Sequence, residues 1–115
     1  MTAPAVGHRT TAQRWHAMTL AEQMANVGSE VDRALRAHAA GHTARLDHAL
    51  PRALELFDLT AGDDRWRGPR RREVLRVREE FCRLLFATAP DAPGAAALSR
   101  YFLAFAVLAR RPGRS

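Results

Sequence analysis

Apolar residues recur at steps of three and four along four stretches of the chain, the spacing that places them on one face of an α-helix. The first stretch follows Thr19, which forms a capping box with Glu22, and it stops before Gly41, because glycine tolerates the positive φ of a helix C-terminus. Its apolar face consists of Leu20, Met24, Val27, Val31 and Leu35. A parallel stripe of small residues predicts close approach by a neighbouring helix: Ala21, Ala25 and Gly28.

The second predicted helix covers residues 43–61 and stops at Gly62. Its apolar face consists of Leu46, Leu50, Leu54 and Phe57. Pro51 lies inside this pattern, where it lacks an N–H donor and crowds the preceding turn. We therefore expect a kink or a late start in this helix.

The third predicted helix begins at Pro69, after a turn over residues 63–68, because proline at the first helical position loses no hydrogen bond. It extends to about Thr88 along an apolar face of Val74, Val77, Phe81, Leu84 and Leu85. Pro90 and Pro93 then indicate a loop, and the fourth predicted helix occupies roughly residues 95–111.

Short connections between these helices favour neighbours that run in opposite directions. The fold class predicted is all-α: one antiparallel up-down four-helix bundle over residues 18–112, since 115 residues suit a single domain. Residues 1–17 are small, polar and without pattern, and they are expected to form a disordered N-terminal arm. Residues 113–115 form a tail.

The fourth predicted helix is apolar on nearly every side. Its inward positions are Leu98, Tyr101, Phe102, Phe105 and Leu108, yet Leu103 and Val107 fall elsewhere around it. A helix that is apolar all round is either central in its fold or covered by another chain. We therefore predict an oligomer interface at Leu103 and Val107, occupied by a second copy or by a partner protein.

The net charge is +6, and all 18 basic residues are arginine. A chain with 23 alanines and no lysine is typical of a GC-rich genome, so part of the arginine content reflects codon usage. The field remains attractive to polyanions whatever its origin.

Seven arginines fall within residues 65–78, at a turn and the start of a helix. Cations are unfavourable there because the helix dipole already presents positive charge, and a phosphate backbone would offset that cost. The nucleic-acid-binding candidates are Arg65, Trp66, Arg67, Arg70, Arg71, Arg72 and Arg76. Trp66 would stack on an unpaired base or pack back onto the bundle. Two alternatives are an acidic protein partner and a solvated face neutralised by Asp63, Asp64, Glu73, Glu79 and Glu80.

Catalytic and metal-binding signals are weak. His38 and His42 are four residues apart, but Gly41 interrupts the helix between them, so neither a metal nor a cofactor is expected. Lone Cys82 is expected to be a small buried hydrophobe.

The chain has no constellation typical of an ordinary enzyme. Two pairs, Arg33 with His38 and Arg36 with His42, resemble the Arg-x4-6-His motif of the HEPN ribonucleases, which leaves a ribonuclease as one alternative.

Residues 20–35 and 52–60, together with 76–79 and the Tyr101-Phe102 pair, resemble short bacterial proteins of unassigned function. In size, helix count and charge the chain also resembles the four-helix-bundle group that includes 23S rRNA intervening-sequence proteins and the accessory variability determinant of diversity-generating retroelements. That resemblance implies a basic oligomer that works beside a reverse transcriptase and its RNA. The leading hypothesis is thus a non-enzymatic accessory module that contacts RNA or DNA; the alternative is a protein-interaction subunit of a larger bacterial complex.

The first eighteen residues lack the continuous apolar run of a secretory signal, and no uninterrupted apolar stretch has the length of a membrane span. A cytoplasmic location without membrane contact is expected.

Overall fold

The computed structural model describes residues 11–111, and every regular element in that range is helical. The helices are α1 (Thr11–His16), α2 (Leu20–Ala40), α3 (Thr43–Ala61), α4 (Pro69–Phe86) and α5 (Ala92–Ala109). A short 3₁₀ helix, Asp64–Trp66, precedes α4. The predicted all-α class is confirmed, whereas most of the expected arm and the whole tail lie outside the described residues.

Both ends of α2 agree with the sequence signals. The Glu22 amide donates to the Thr19 hydroxyl at 3.1 Å, and the Thr19 amide donates to a Glu22 carboxylate oxygen at 2.8 Å, which completes the capping box. At the other end Gly41 adopts a φ of 72°, in the left-handed region that side chains with a Cβ avoid. Local chemistry alone determines these two boundaries.

Helix α3 has the predicted bounds and continues through Pro51. Its first turn has no side-chain cap, since His42 makes no capping hydrogen bond there. The expected kink at Pro51 stays a prediction.

The structure shifts the boundaries of α4 and α5. Helix α4 ends at Phe86, two residues before the expected Thr88, because Ala87 is extended with ψ of 147°. Helix α5 starts earlier than predicted, at Ala92, because the Asp91 carboxylate accepts from the Gly94 amide at 2.8 Å and so caps it. Pro93 is harmless in that first turn, where its missing donor would have no partner.

Residues 11–16, expected to belong to the disordered arm, instead form α1. The cause is Trp15, which is buried and donates its indole N–H to the Thr60 hydroxyl on α3 at 2.9 Å. The arm prediction was wrong for this segment because the stabilising contact is 45 residues away in sequence.

Helix α2 packs against α3 on one side and α5 on the other, while α4 packs mainly on α3. The core between them contains a cluster of rings in which Phe57 lies 5.8 Å from Phe81 and 6.2 Å from Phe102, between centroids. Gly28 on α2 lies directly beneath Phe102, so the small-residue stripe does admit a close neighbour. Cys82 is half-buried, more accessible than expected.

A buried polar network joins the start of α2 to the 3₁₀ helix. The Gln23 side chain is fully buried; its amide nitrogen donates to the Trp15 carbonyl at 2.8 Å and to the Asp63 carboxylate at 3.0 Å. Its amide oxygen accepts from the Trp66 indole N–H at 2.7 Å. Every polar group of Gln23 is engaged, which offsets the cost of burying it.

Candidate nucleic-acid interface

The predicted arginine cluster lies where the sequence placed it, on the 3₁₀ helix and the start of α4, but much of its charge is engaged in holding the fold together. Arg65 donates from Nε and Nη2 to the two oxygens of Asp63, at 3.1 and 2.8 Å, and also to the Met18 carbonyl at 2.7 Å. These bonds hold the pKa of the buried Asp63 carboxyl well below its ordinary value, against the opposing effect of desolvation. Arg65 is therefore a structural cation.

Arg71 and Arg76 also have partners within the chain. Arg71 donates to the Ala61 carbonyl at 2.6 Å, which satisfies an acceptor at the end of α3. Arg76 forms a two-pronged pair with Glu73, at 2.9 and 2.8 Å, and this pair lowers the pKa of Glu73. Further pairs join Arg67 to Asp64 and Arg78 to Asp58, each at 3.1 Å.

Trp66 packs back onto the bundle, the second of the two roles considered for it. Its side chain is only 9% exposed, and its indole N–H is bonded to Gln23. The guanidinium carbons of Arg65 and Arg70 lie 4.4 and 5.7 Å from the ring centroid, where cation–π attraction holds them. In this state the indole offers little surface to a base.

Arg70 and Arg72 differ from the rest of the cluster. Both are exposed, and neither has a carboxylate partner anywhere in the described range. They lie in the first turn of α4, which contains no acidic residue and no side-chain cap. Arg70 also lines a cavity of about 340 Å³ together with Trp66 and Glu22. Uncompensated cations thus meet the positive end of a helix dipole, which favours an anion there.

A second basic region, not anticipated from the sequence, lies between the C-terminal half of α2 and the N-terminal half of α3. It is an open groove of about 880 Å³, termed here the α2–α3 groove. Its lining is Glu30, Arg33, Arg36, Ala37, Ala40, His42, Ala44, Arg45, His48, Ala49 and Arg52. The lining therefore contains four arginines and two histidines but only one glutamate, together with four alanines.

Charge in the α2–α3 groove is only partly neutralised. Glu30 pairs with Arg33 at 2.7 Å, and Arg52 pairs at 2.9 Å with Glu55, which lies outside the groove. Arg36 and Arg45 have no acidic partner among residues 11–111. The sequence signal for this groove is the density of arginine and histidine on both sides of Gly41, which was considered only as a metal or ribonuclease motif.

Of the two ribonuclease-like pairs, the structure brings Arg36 and His42 into the lining of one groove but separates Arg33 from His38. Arg33, Arg36 and His42 line the α2–α3 groove, whereas His38 is half-buried and does not line it. Across the described part of the chain, no three His, Cys, Asp or Glu side chains are grouped as metal ligands.

The outer face of α5 is apolar and uncovered. Leu103 is 57% exposed and Val107 46%, and only 11% of this 18-residue helix is buried. Among the described helices, α5 alone has the length and apolar composition to cross a membrane, two properties that core helices of soluble proteins share. Leu75 and Phe86 are further exposed apolar residues, on α4.

Comparison of the chain with protein-family models, curated proteins and solved structures finds no match.

Proposed function

We propose that this chain is a cytoplasmic, non-enzymatic helical accessory module that contacts RNA or DNA through the start of α4 and assembles with a second chain through α5. The observation that carries the nucleic-acid half is the pair Arg70 and Arg72, exposed and without an acidic partner in the described range. RNA is the first polyanion to test, given the resemblance to accessory proteins of reverse transcriptases.

The physical argument concerns the first turn of α4. Placing Arg70 and Arg72 at the positive end of a helix dipole is unfavourable in isolation, and here no acidic residue in that turn offsets it. A phosphate would accept hydrogen bonds both from the guanidinium groups and from first-turn backbone amides that lack intrahelical acceptors. The neighbouring exposed Arg67 would extend this contact along a backbone.

The architecture behind the proposal is an antiparallel up-down four-helix bundle. Two contacts between α2 and α5 run in reverse order along the helices: Asp32 accepts from Ser99 at 2.7 Å, and Gly28 lies beneath Phe102. A connection of only two residues between α2 and α3 favours opposite directions for that pair as well.

The experiment is a binding titration by fluorescence anisotropy with labelled single-stranded RNA and duplex DNA at low salt. The double variant Arg70→Gln/Arg72→Gln is compared with Arg110→Gln/Arg111→Gln, which removes the same charge from exposed positions just after α5. We expect the first variant to weaken binding by tenfold or more, from the loss of two charge-assisted contacts of about 1.5–3 kcal/mol each, and the second to weaken it much less. Equal losses in the two variants, or no binding by the unmodified protein, would contradict the proposal.

A second candidate function, a protein-interaction subunit, is favoured by the exposure of Leu103 and Val107. A second copy of the chain suits this face. In an antiparallel pairing of two α5 helices centred between residues 103 and 104, Arg100 of one copy lies level with Val107 of the other. The two Arg100 side chains are then offset by seven residues, about 10 Å along the helix, which limits their repulsion.

A further inference from the structure

We infer that the α2–α3 groove is a binding site for a nucleoside phosphate, in which arginines hold the phosphate and the alanine surface receives the base. The groove shares no lining residue with the start of α4, so this inference stands independently of the proposed function. A free nucleotide and an unpaired nucleotide within a nucleic acid both present a phosphate joined to a base, so either one fits this description of the ligand.

The charge of the groove favours an anionic ligand. Four arginines face one glutamate, and only Arg33 is paired with it. Arg36 comes from the last two turns of α2 and Arg45 from the first turn of α3, so the two unpaired cations approach the groove from different helices. Two guanidinium groups that line one groove from separate elements suit the several oxygens of one phosphate.

The start of α3 adds donors to the same place. His42 supplies no side-chain cap, and no acidic residue lies in the first turn. Ala44 and Arg45 belong to that turn and line the groove, so their amides are among those that lack intrahelical acceptors. Phosphate oxygens would satisfy amides and guanidinium groups together.

The alanine surface identifies the rest of the ligand. Ala40 and Ala44 are exposed and present methyl groups with no hydrogen-bonding capacity to the groove, whereas Ala37 and Ala49 also line it but are largely buried. A shallow apolar surface of this kind can cover one face of a planar ring, whereas in an open groove an alkyl chain would stay largely in water. The volume of about 880 Å³ falls within the range of roughly 300–1,000 Å³ typical of small-molecule sites. A base would cover the alanine surface and the phosphate joined to it would contact the arginines, so a nucleoside phosphate matches both parts of the lining.

The test is isothermal titration calorimetry of the full chain with AMP, adenosine, inorganic phosphate and a 5′-phosphorylated single-stranded oligonucleotide. Two variants probe the two halves of the site: Arg36→Gln/Arg45→Gln removes the unpaired cations, and Ala44→Leu fills the apolar surface without changing charge. Their controls are Arg70→Gln/Arg72→Gln, at the start of α4, and Ala39→Leu, at an exposed position of α2 outside the lining.

We expect AMP to bind more tightly than either adenosine or phosphate, and to lose tenfold or more in affinity in both groove variants but not in the controls. If AMP does not bind and Arg36→Gln/Arg45→Gln weakens oligonucleotide binding tenfold or more, the source is an unpaired nucleotide of a nucleic acid; AMP binding with oligonucleotide affinity unchanged in that variant identifies a free nucleotide. The inference is overturned if none of the four probes loses affinity in Arg36→Gln/Arg45→Gln. Equal affinity for AMP and phosphate also overturns it, because the alanine surface would then contribute nothing.

The same variants distinguish failure of the groove site from failure of the proposed nucleic-acid interface at the start of α4. Loss of nucleic-acid binding in Arg70→Gln/Arg72→Gln with AMP binding retained supports both proposals. Loss of AMP binding in that variant would instead contradict a separate groove site.

Discussion

Asp63 connects more parts of the fold than any other acidic residue described. Its carboxylate, only 4% exposed, accepts from Arg65 and Gln23, and its carbonyl accepts from Arg71. Since Gln23 also bonds with Trp15 and Trp66, this carboxylate belongs to a network that joins α1, α2 and the 3₁₀ helix. A buried charge in such a network stabilises only while its partners remain in place.

The lowered pKa of Asp63 predicts a specific dependence of the free energy of unfolding on pH. Its pKa is lowered on folding, so the native state is stabilised above the unfolded-state value of about 3.9, and that stabilisation is lost as the pH falls through the lower folded-state pKa. Asp63→Asn should cost about 1.5–3 kcal/mol at pH 7 and flatten the loss of stability in acid. Urea denaturation between pH 7 and pH 2 measures both effects. Asp64→Asn, at an exposed carboxylate, is the matched control, and equal behaviour of the two variants would exclude this role.

Gly28 is predicted to be irreplaceable for steric reasons. A Cβ built on it would lie 2.6 Å from the Phe102 Cβ, an atom fixed close to the backbone of α5. Gly28→Ala should therefore destabilise the protein by at least about 1 kcal/mol, even after the gain in helix propensity. Ser29→Ala, on the exposed side of the same helix, should change stability by less than about 0.5 kcal/mol. An unchanged urea midpoint for Gly28→Ala would show that α2 and α5 are not in close contact.

At the scale of elements, features governed by local chemistry could be predicted and features governed by distant contacts could not. Thr19, Gly41 and Pro69 mark their helix ends in the sequence because caps and proline act within one turn. Helix α1 could not be predicted, since five of its six residues are polar or small and its ordering depends on the contacts of Trp15 with Gln23 and with the distant Thr60. The earlier start of α5, at Ala92, was missed because Asp91 was not recognised as a cap.

The same reasoning explains the candidate sites. The arginine cluster could be located from composition, but the sequence could not separate paired from unpaired arginines, because the partners of Arg71 and Arg78 come from α3. The α2–α3 groove was not predicted, although arginine and histidine are dense on both sides of the predicted turn at Gly41. It exists only because the turn at Gly41 brings Arg36 and Arg45 onto neighbouring helices.

The exposed apolar face of α5 predicts that the protein forms an oligomer. Leu103→Gln/Val107→Gln should convert an oligomer to the 12.8 kDa monomer, because it replaces the two large exposed apolar side chains of this helix with polar ones. Size-exclusion chromatography with light scattering measures the mass. Phe86→Gln, which removes an exposed apolar residue from α4, should leave the mass unchanged. A wild-type monomer at every concentration tested would contradict the assembly.

At the scale of the whole molecule, the net charge of +6 is unevenly available. Around the 3₁₀ helix and α4, most arginines are bonded within the chain, and the arginines without an acidic partner in the described range are Arg70 and Arg72. In the α2–α3 groove, the arginines without such a partner are Arg36 and Arg45. Arg100, Arg110 and Arg111 on and after α5 are also exposed and unpaired within that range, but only the start of α4 and the α2–α3 groove combine unpaired arginines with the start of a helix. Codon usage was expected to explain only part of the arginine content, and the pairing pattern indicates which arginines are free to meet a ligand.

The salt dependence of RNA binding tests the central claim most directly. Each phosphate contact to a single strand contributes about −0.7 to the slope of log Kobs against log salt concentration. Between roughly 50 and 200 mM salt, the unmodified protein should therefore show a slope of −1.4 or steeper. The slope should become shallower by about 1.4 in Arg70→Gln/Arg72→Gln. A slope near zero, or one that these two substitutions leave unchanged, would contradict nucleic-acid binding at the start of α4.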